Sequence, residues 1–182
     1  MYENTFMEHQ VDIILPVWNE GLSFNDFYGE VVKSVHTPWR ILVVYDFAED
    51  NTLSVAGPIA KMDDRVELIL NNERGVIGAI KTGFKHTTAE AVMVTAVDIP
   101  EDIKKLDYML ELFYTRNYTI VATSRYMKGG KRFAGKFLNR TLSRLAGVSL
   151  YYLAGLPIHD ATNGSKLYRK SFIDSITIVR SI

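Results

Sequence analysis

The sequence predicts an α/β fold with a central, mostly parallel sheet flanked by helices. Three segments carry that expectation: Ile13-Ile14-Leu15-Pro16-Val17-Trp18-Asn19-Glu20, Ile41-Leu42-Val43-Val44-Tyr45-Asp46, and Val92-Met93-Val94-Thr95-Ala96-Val97-Asp98. Each is a run of β-formers that ends abruptly in polar or acidic residues. Strands buried on both faces of a parallel sheet read as such near-continuous apolar runs. Ligands of these sheets bind beyond the carboxyl ends of the strands. Glu20, Asp46 and Asp98 are therefore expected along one edge of one sheet, where they suit a polyanionic ligand held through a metal ion and sugar hydroxyls.

The elements follow in alternation. A first strand is expected over 11–15, then a helix to about Val35 that starts on a Ser23/Asp26 capping pair. Trp39 to Tyr45 is a second strand. Thr52 to Met62 is a helix interrupted near Pro58, and Val66 to Leu70 a third strand. Val76 to His86 is a helix with Ile77, Ile80 and Phe84 on one face. Ala91 to Val97 is a fourth strand. Glu101 to Arg116 is a helix with acids first and Arg last, matching the macrodipole. Tyr118 to Thr123 is a fifth strand. Beyond it lie a Gly- and Lys-rich stretch (127–132), a long partly amphipathic helix (133–153) and a polar turn (158–164). The tail from Ser171 is helix or strand.

At 182 residues the chain fits one domain, 1–182, and its 47% hydrophobic content supports a real core. Lys plus Arg equals Asp plus Glu, 21 each, so net charge gives no sign of nucleic-acid binding. No cysteine is present, which excludes disulfides, thiolate metal sites and Cys nucleophiles. The polar start is not a signal peptide, and the apolar stretch 145–158 is too short for a bilayer span of about 20 residues. No Gly-x-Ser-x-Gly elbow occurs, and His9, His36, His86 and His159 lack metal-ligand spacing.

Five motifs stand in order: Pro16-Val17-Trp18-Asn19-Glu20; Tyr45-Asp46 with Asp50 downstream; the glycine-spaced Asn71-Asn72-Glu73-Arg74-Gly75-Val76-Ile77-Gly78; Ala96-Val97-Asp98-Ile99-Pro100-Glu101-Asp102; and Thr123-Ser124-Arg125-Tyr126 with Asp160-Ala161-Thr162-Asn163-Gly164-Ser165. Gly75 permits a tight or left-handed turn, and Gly78 and Gly83 permit close helix–sheet packing. No Gly-Lys-Ser/Thr follows at Walker spacing. In this order the motifs resemble glycosyltransferase family 2, whose members have the GT-A nucleotide-diphospho-sugar transferase fold. Within it, the chain is similar to the dolichyl- and polyprenyl-phosphate sugar synthases, from about Val11 to Ile173. Sugar-nucleotide-forming nucleotidyltransferases share the sheet but start with a Gly-rich basic loop that this chain lacks.

The resemblance implies roles. Pro16 and Glu20 would hold base and ribose, Asp46 would take a base or ribose contact, Tyr45 would stack on a base, and Asp50 would cap the next helix. Arg74 and Lys81 would meet the diphosphate. Asp98, helped by Glu101, would bind a divalent cation, Mg or Mn, on that diphosphate. The other acid of the family's Asp-x-Asp falls on Ala96, and the loop before Pro100 is short, so either Glu101 helps or metal dependence is reduced, and weak metal dependence or weak turnover is expected. Most relatives have an aromatic where this chain has Ser165. Arg125 matches an arginine near phosphates, and Lys136 and Arg140 would meet an acceptor phosphate.

The implied activity is inverting transfer of a sugar from a nucleotide-diphospho-sugar. A polyprenyl phosphate acceptor, or a cell-envelope glycan precursor, is expected because an anionic acceptor needs no strong base. A hydroxyl acceptor would need one, and Asp160 is the candidate. A degenerate member that binds nucleotide or a protein partner without turnover is the alternative. The expected location is cytoplasmic, or peripheral at the cytoplasmic membrane face. Family catalytic domains continue further past Arg169, so a C-terminally short domain is expected, with a homodimer able to cover the surface left open.

Overall fold

Six strands and six helices build the part of the chain that the computed structural model describes, residues 10–124 and 164–176. In chain order they are β1 (Val11–Val17), α1 (Ser23–Ser34), β2 (Trp39–Tyr45), α2 (Leu53–Met62), β3 (Val66–Leu70), α3 (Gly75–His86), β4 (Ala91–Val94), α4 (Pro100–Ile103), α5 (Leu106–Thr115), β5 (Ile120–Ala122), β6 (Lys166–Arg169) and α6 (Lys170–Ser175). The sheet order is β3-β2-β1-β4-β6-β5. β1 is central and pairs parallel with β2 and β4, β3 extends the parallel part, and β6 runs antiparallel to β4 and β5. The predicted mostly parallel α/β sheet is present.

Strand alternation sorts the core into two layers. Odd positions of β1 and β2, among them Ile13, Leu15, Ile41 and Val43, pack on α1, α2, α4 and α5 through Phe24, Phe27, Ile59, Ile103, Met109 and Phe113. Even positions, among them Ile14, Leu42, Val44 and Val92, pack on α3 and α6 through Ala79, Phe84 and Ile173. The even-numbered Asp12 is fully buried. It accepts from Arg40 Nε at 2.8 Å and from the Thr88 and Ala89 N–H groups at 2.7 and 3.0 Å.

Several elements differ from the sequence expectation. β1 continues through Pro16 to Val17. Register explains the tolerance: even β1 residues face β4, where pairing ends at Ile14↔Val94 and the Thr95 N–H to Ile14 carbonyl bond. The N–H that Pro16 lacks would have no ladder partner. α2 is unbroken, with Pro58 on its exposed side, where water can reach the carbonyl one turn back. Ser23 and Asp26 form no side-chain cap; α1 is entered from Leu22, and its first amides bond back to the Glu20 and Gly21 carbonyls. The single helix expected over 101–116 is two, α4 and α5. Ile77 is exposed, and α3 instead presents Gly78, Ala79, Thr82 and Gly83 inward. A Cβ on Gly83 would lie 2.6 Å from Ile14 Cγ2, so this glycine sets the approach of α3 to the sheet. One on Gly78 would meet Glu73, not the sheet. The stretch 127–132, the helix expected over 133–153 and most of the 158–164 turn lie outside the described residues.

Candidate active site

The turn after β1 is built around a left-handed Asn19 (φ 55°) and Gly21 (φ 52°). The buried Asp50 carboxylate accepts the Asn19 N–H at 3.1 Å and the Thr52 N–H at 2.8 Å. Asn19 Oδ1 accepts from Asn51 N at 3.2 Å, and Thr52 Oγ1 from Glu20 N at 3.0 Å. Asp50 thus fastens the β1 turn to the loop after β2, and α2 begins without a side-chain cap. This lock presents Glu20 half-buried. Burial, and then the charges of Asp98 and Asp50, push the Glu20 carboxyl above its ordinary pKa. Trp18, 61% exposed, meets Phe47 edge-on with ring centroids 4.9 Å apart. Tyr45 packs partly buried on the α1/α2 side of the core.

Asp46 closes a second junction. Its Oδ1 accepts from Asn71 Nδ2 at 2.6 Å and its Oδ2 from Gly75 N at 2.7 Å. Asn71 Oδ1 in turn accepts from Glu73 N and Thr82 Oγ1. The entry to α3 needs this support, because Arg74 (φ 46°) and Gly75 (φ 82°) are both left-handed, a cost for Arg74 that its surroundings must offset. Gly75 thus holds the turn its position suggested. Lys81 turns to Glu73, at 2.5 Å, with Lys85 on the same carboxylate at 3.6 Å.

The loop after β4 carries Asp98. Val97 is buried, the Ile99 N–H bonds the Ala96 carbonyl at 3.3 Å, and Asp98 is exposed. Asp98 has no hydrogen bond or ion pair among the described residues, and its charge acts on Glu20. Glu101 pairs with Lys104 at 3.5 Å, and Lys104 also reaches Glu30 of α1. Asp102 turns inward to Lys105 Nζ at 2.9 Å and Thr123 Oγ1 at 2.8 Å. Burial works to raise its pKa, but the hydrogen bonds of Lys105, Ser165 and Thr123 outweigh that and hold it below the ordinary value.

The parallel pairing of β1, β2 and β4 sets Glu20, Asp46 and Asp98 at one edge of the sheet, as the sequence implied. Pro16 is the next-to-last residue of β1, paired with Val44 of β2. Lys81 and Glu101 are engaged in ion pairs. Arg125, Lys136, Arg140 and Asp160 lie outside the described residues. Asn71, Thr52 and the locking role of Asp50 were missed by sequence reasoning; their only signal is a short polar side chain just past a strand end.

Among the described residues no three His, Cys, Asp or Glu side chains are grouped to hold a metal. Asp98, exposed and unpaired among the described residues and near enough for its charge to act on Glu20, fits a hard cation that arrives with a diphosphate and takes one or two carboxylates. No helix among the described residues is long and apolar enough to cross a membrane.

These features belong to one family. The glycosyl transferase family 2 profile matches residues 12–177, and the chain is a member of that family. Its fold is that of the GT-A glycosyltransferases. Glucosyl-3-phosphoglycerate synthase from Mycobacterium tuberculosis, solved with Mn2+, UDP and glucosyl-3-phosphoglycerate, superposes with a TM-score of 0.67 at 13% identity, over 92% of this chain and 59% of that one. A mannosyltransferase from Pyrobaculum calidifontis, solved with GDP-Man and Mn2+, gives 0.61 at 15% identity, over 93% and 47%. TarS residues 1–349 from S. aureus give 0.59 at 14% identity, over 91% and 48%. The chain spans about half to three-fifths of the length of these structures.

Proposed function

We propose that this chain transfers a glycosyl group from a nucleotide-diphospho-sugar to a phosphate acceptor, with inversion at the anomeric carbon. The observation that carries the reading is the meeting of Glu20, Asp46 and Asp98 at the carboxyl edge of a family 2 sheet. Pro16, Glu20 and Asp46 bound the nucleoside side, and Asp98 the diphosphate side. A divalent cation, Mg or Mn, held by Asp98 would offset charge on the departing nucleoside diphosphate. Lys81 would join the nucleotide only by leaving Glu73, and Glu101 the cation only by leaving Lys104.

The acceptor in this reading is a polyprenyl phosphate at the cytoplasmic face of a membrane. Its phosphate oxygen is already anionic, so its electron pair forms the new C–O bond as the old anomeric C–O bond breaks, and the nucleoside diphosphate leaves with that bond's electrons. No proton need be removed by the protein. Arg125, Lys136 and Arg140 supply positive charge to the acceptor phosphate. Asp160 is the base if the acceptor is a hydroxyl. A thermal-shift panel of UDP-, GDP- and other sugar nucleotides with and without Mn2+ identifies the donor by mass action, and release of nucleoside diphosphate with a short polyprenyl phosphate tests transfer. Donor stabilisation without release in the full natural chain overturns transfer.

A second reading, nucleotide binding without turnover, is favoured by one observation: among the described residues no three ligating side chains group around Asp98, since Ala96 supplies none and Glu101 is paired. Release of nucleoside diphosphate by the native chain excludes it.

A further inference from the structure

The loop that carries Asp98 is fastened at both ends to the antiparallel half of the sheet by a single buried polar network. At its start, Thr95 Oγ1 and Ser165 Oγ lie 2.9 Å apart, with Thr95 3% and Ser165 0% exposed. At its end, Asp102 Oδ2 accepts from Thr123 Oγ1 at 2.8 Å, and Ser165 also bonds the Asp102 carboxylate. The two ends are joined to each other, because the Thr123 N–H donates to the Ser165 carbonyl at 3.3 Å. Between them Val97 is sunk in the core and Asp98 faces out.

We infer that Thr95, Asp102, Thr123 and Ser165 are positioning residues that fix the Asp98 carboxylate for the donor diphosphate; this inference rests on the nucleotide-sugar reading above. Three arguments support it. Buried hydroxyls and a buried carboxylate are costly unless satisfied, so a fully paired network at this place specifies one geometry. Its members come from four segments: the residue after β4, α4, the residue after β5 and the residue before β6. Asp98 has no hydrogen bond or ion pair of its own among the described residues, so its placement comes from its loop.

The test compares Thr95→Val, which keeps shape and removes the hydroxyl, with Thr95→Ser, which keeps the hydroxyl. The probe is UDP or GDP, whichever the wild type binds more tightly, titrated calorimetrically with and without Mn2+. Thr95→Val should lose most of the affinity gained from Mn2+, about tenfold, keep the metal-free affinity within about twofold, and be rescued by Thr95→Ser. Should Thr95→Val fail to fold, Ser165→Ala is read in the same way. Equal loss with and without Mn2+, or an unchanged affinity beside a lowered Tm, overturns the positioning role and leaves the nucleotide reading intact. A wild type that binds neither nucleotide overturns both.

Discussion

The Asp46 carboxylate accepts the backbone N–H of Gly75 at 2.7 Å, so the end of β2 fixes the start of α3. Its other oxygen holds Asn71. Asp46 therefore joins the end of β2 to the loop and helix start that follow β3. Asp46→Ala should cost about 1–3 kcal/mol in urea unfolding, because two partners are left unsatisfied. It should also weaken nucleotide binding to a similar extent with or without Mn2+, whereas Asp98→Ala should remove only the Mn2+-dependent part. Calorimetric isotherms that leave Asp46→Ala indistinguishable from wild type would exclude Asp46 from the site.

Glu20 gives the site a pH signature. Its pKa is raised by burial and by the charges of Asp98 and Asp50. The native state therefore keeps this proton to higher pH than the unfolded chain does. No stability is lost on its account below the ordinary value of 4.5, and stability falls as pH rises from there through the raised value. Glu20→Gln removes that fall. Its Tm should exceed wild type by roughly 1–3 °C at neutral pH and coincide with it in acid. Scanning calorimetry across this range checks the sign, and a gap that widens in acid would contradict it.

Two glycines should respond in opposite directions to the same methyl group. Gly83→Ala drives a Cβ to 2.6 Å from Ile14 Cγ2 across the α3–sheet contact. It should destabilise by about 1–3 kcal/mol, as overpacked core sites do. Gly29, in α1, has no atom within 4 Å of an added Cβ apart from its chain neighbours and its own helix backbone. Gly29→Ala should stabilise by about 0.4–1 kcal/mol through the unfolded chain. Chemical denaturation of the two variants side by side decides both.

The parts of this fold legible in sequence are those where one physical signal dominates. β2 and β3 occupy the stretches their apolar runs mark, because both are bounded by polar turns. The break between α4 and α5 leaves no trace, since Ile103, Leu106, Met109, Leu110 and Phe113 keep helical spacing and burial across it. Ile77 misleads because apolarity suggests burial, while the close approach at Gly83 turns the small face of α3 inward. At the site, acids at strand ends were readable from the run-then-acid pattern. The locks behind them were not: Asp50 meets Asn19 across 31 residues, and Thr95 meets Ser165 across 70. Such pairs are small, common polar residues until the sheet order joins them.

Ala96 is where the sequence resemblance places the missing acid of the proposed cation site. Its carbonyl accepts the Ile99 N–H, a backbone contact that any side chain allows, and its side chain is partly exposed beside Asp98. Ala96→Asp therefore needs no core volume. It adds a second carboxylate two residues from Asp98, and a hard divalent cation gains a ligand. Without cation the variant should be less stable than wild type, because a further negative charge joins Glu20 and Asp98. With Mn2+ and nucleotide the order should reverse, and Mn2+-supported nucleotide affinity should rise several-fold. The two-condition thermal shift separates this from a general surface effect. A variant that is destabilised equally with and without Mn2+ would mean that the short loop aims the new carboxylate away from Asp98, and that this chain holds its donor with one acid alone.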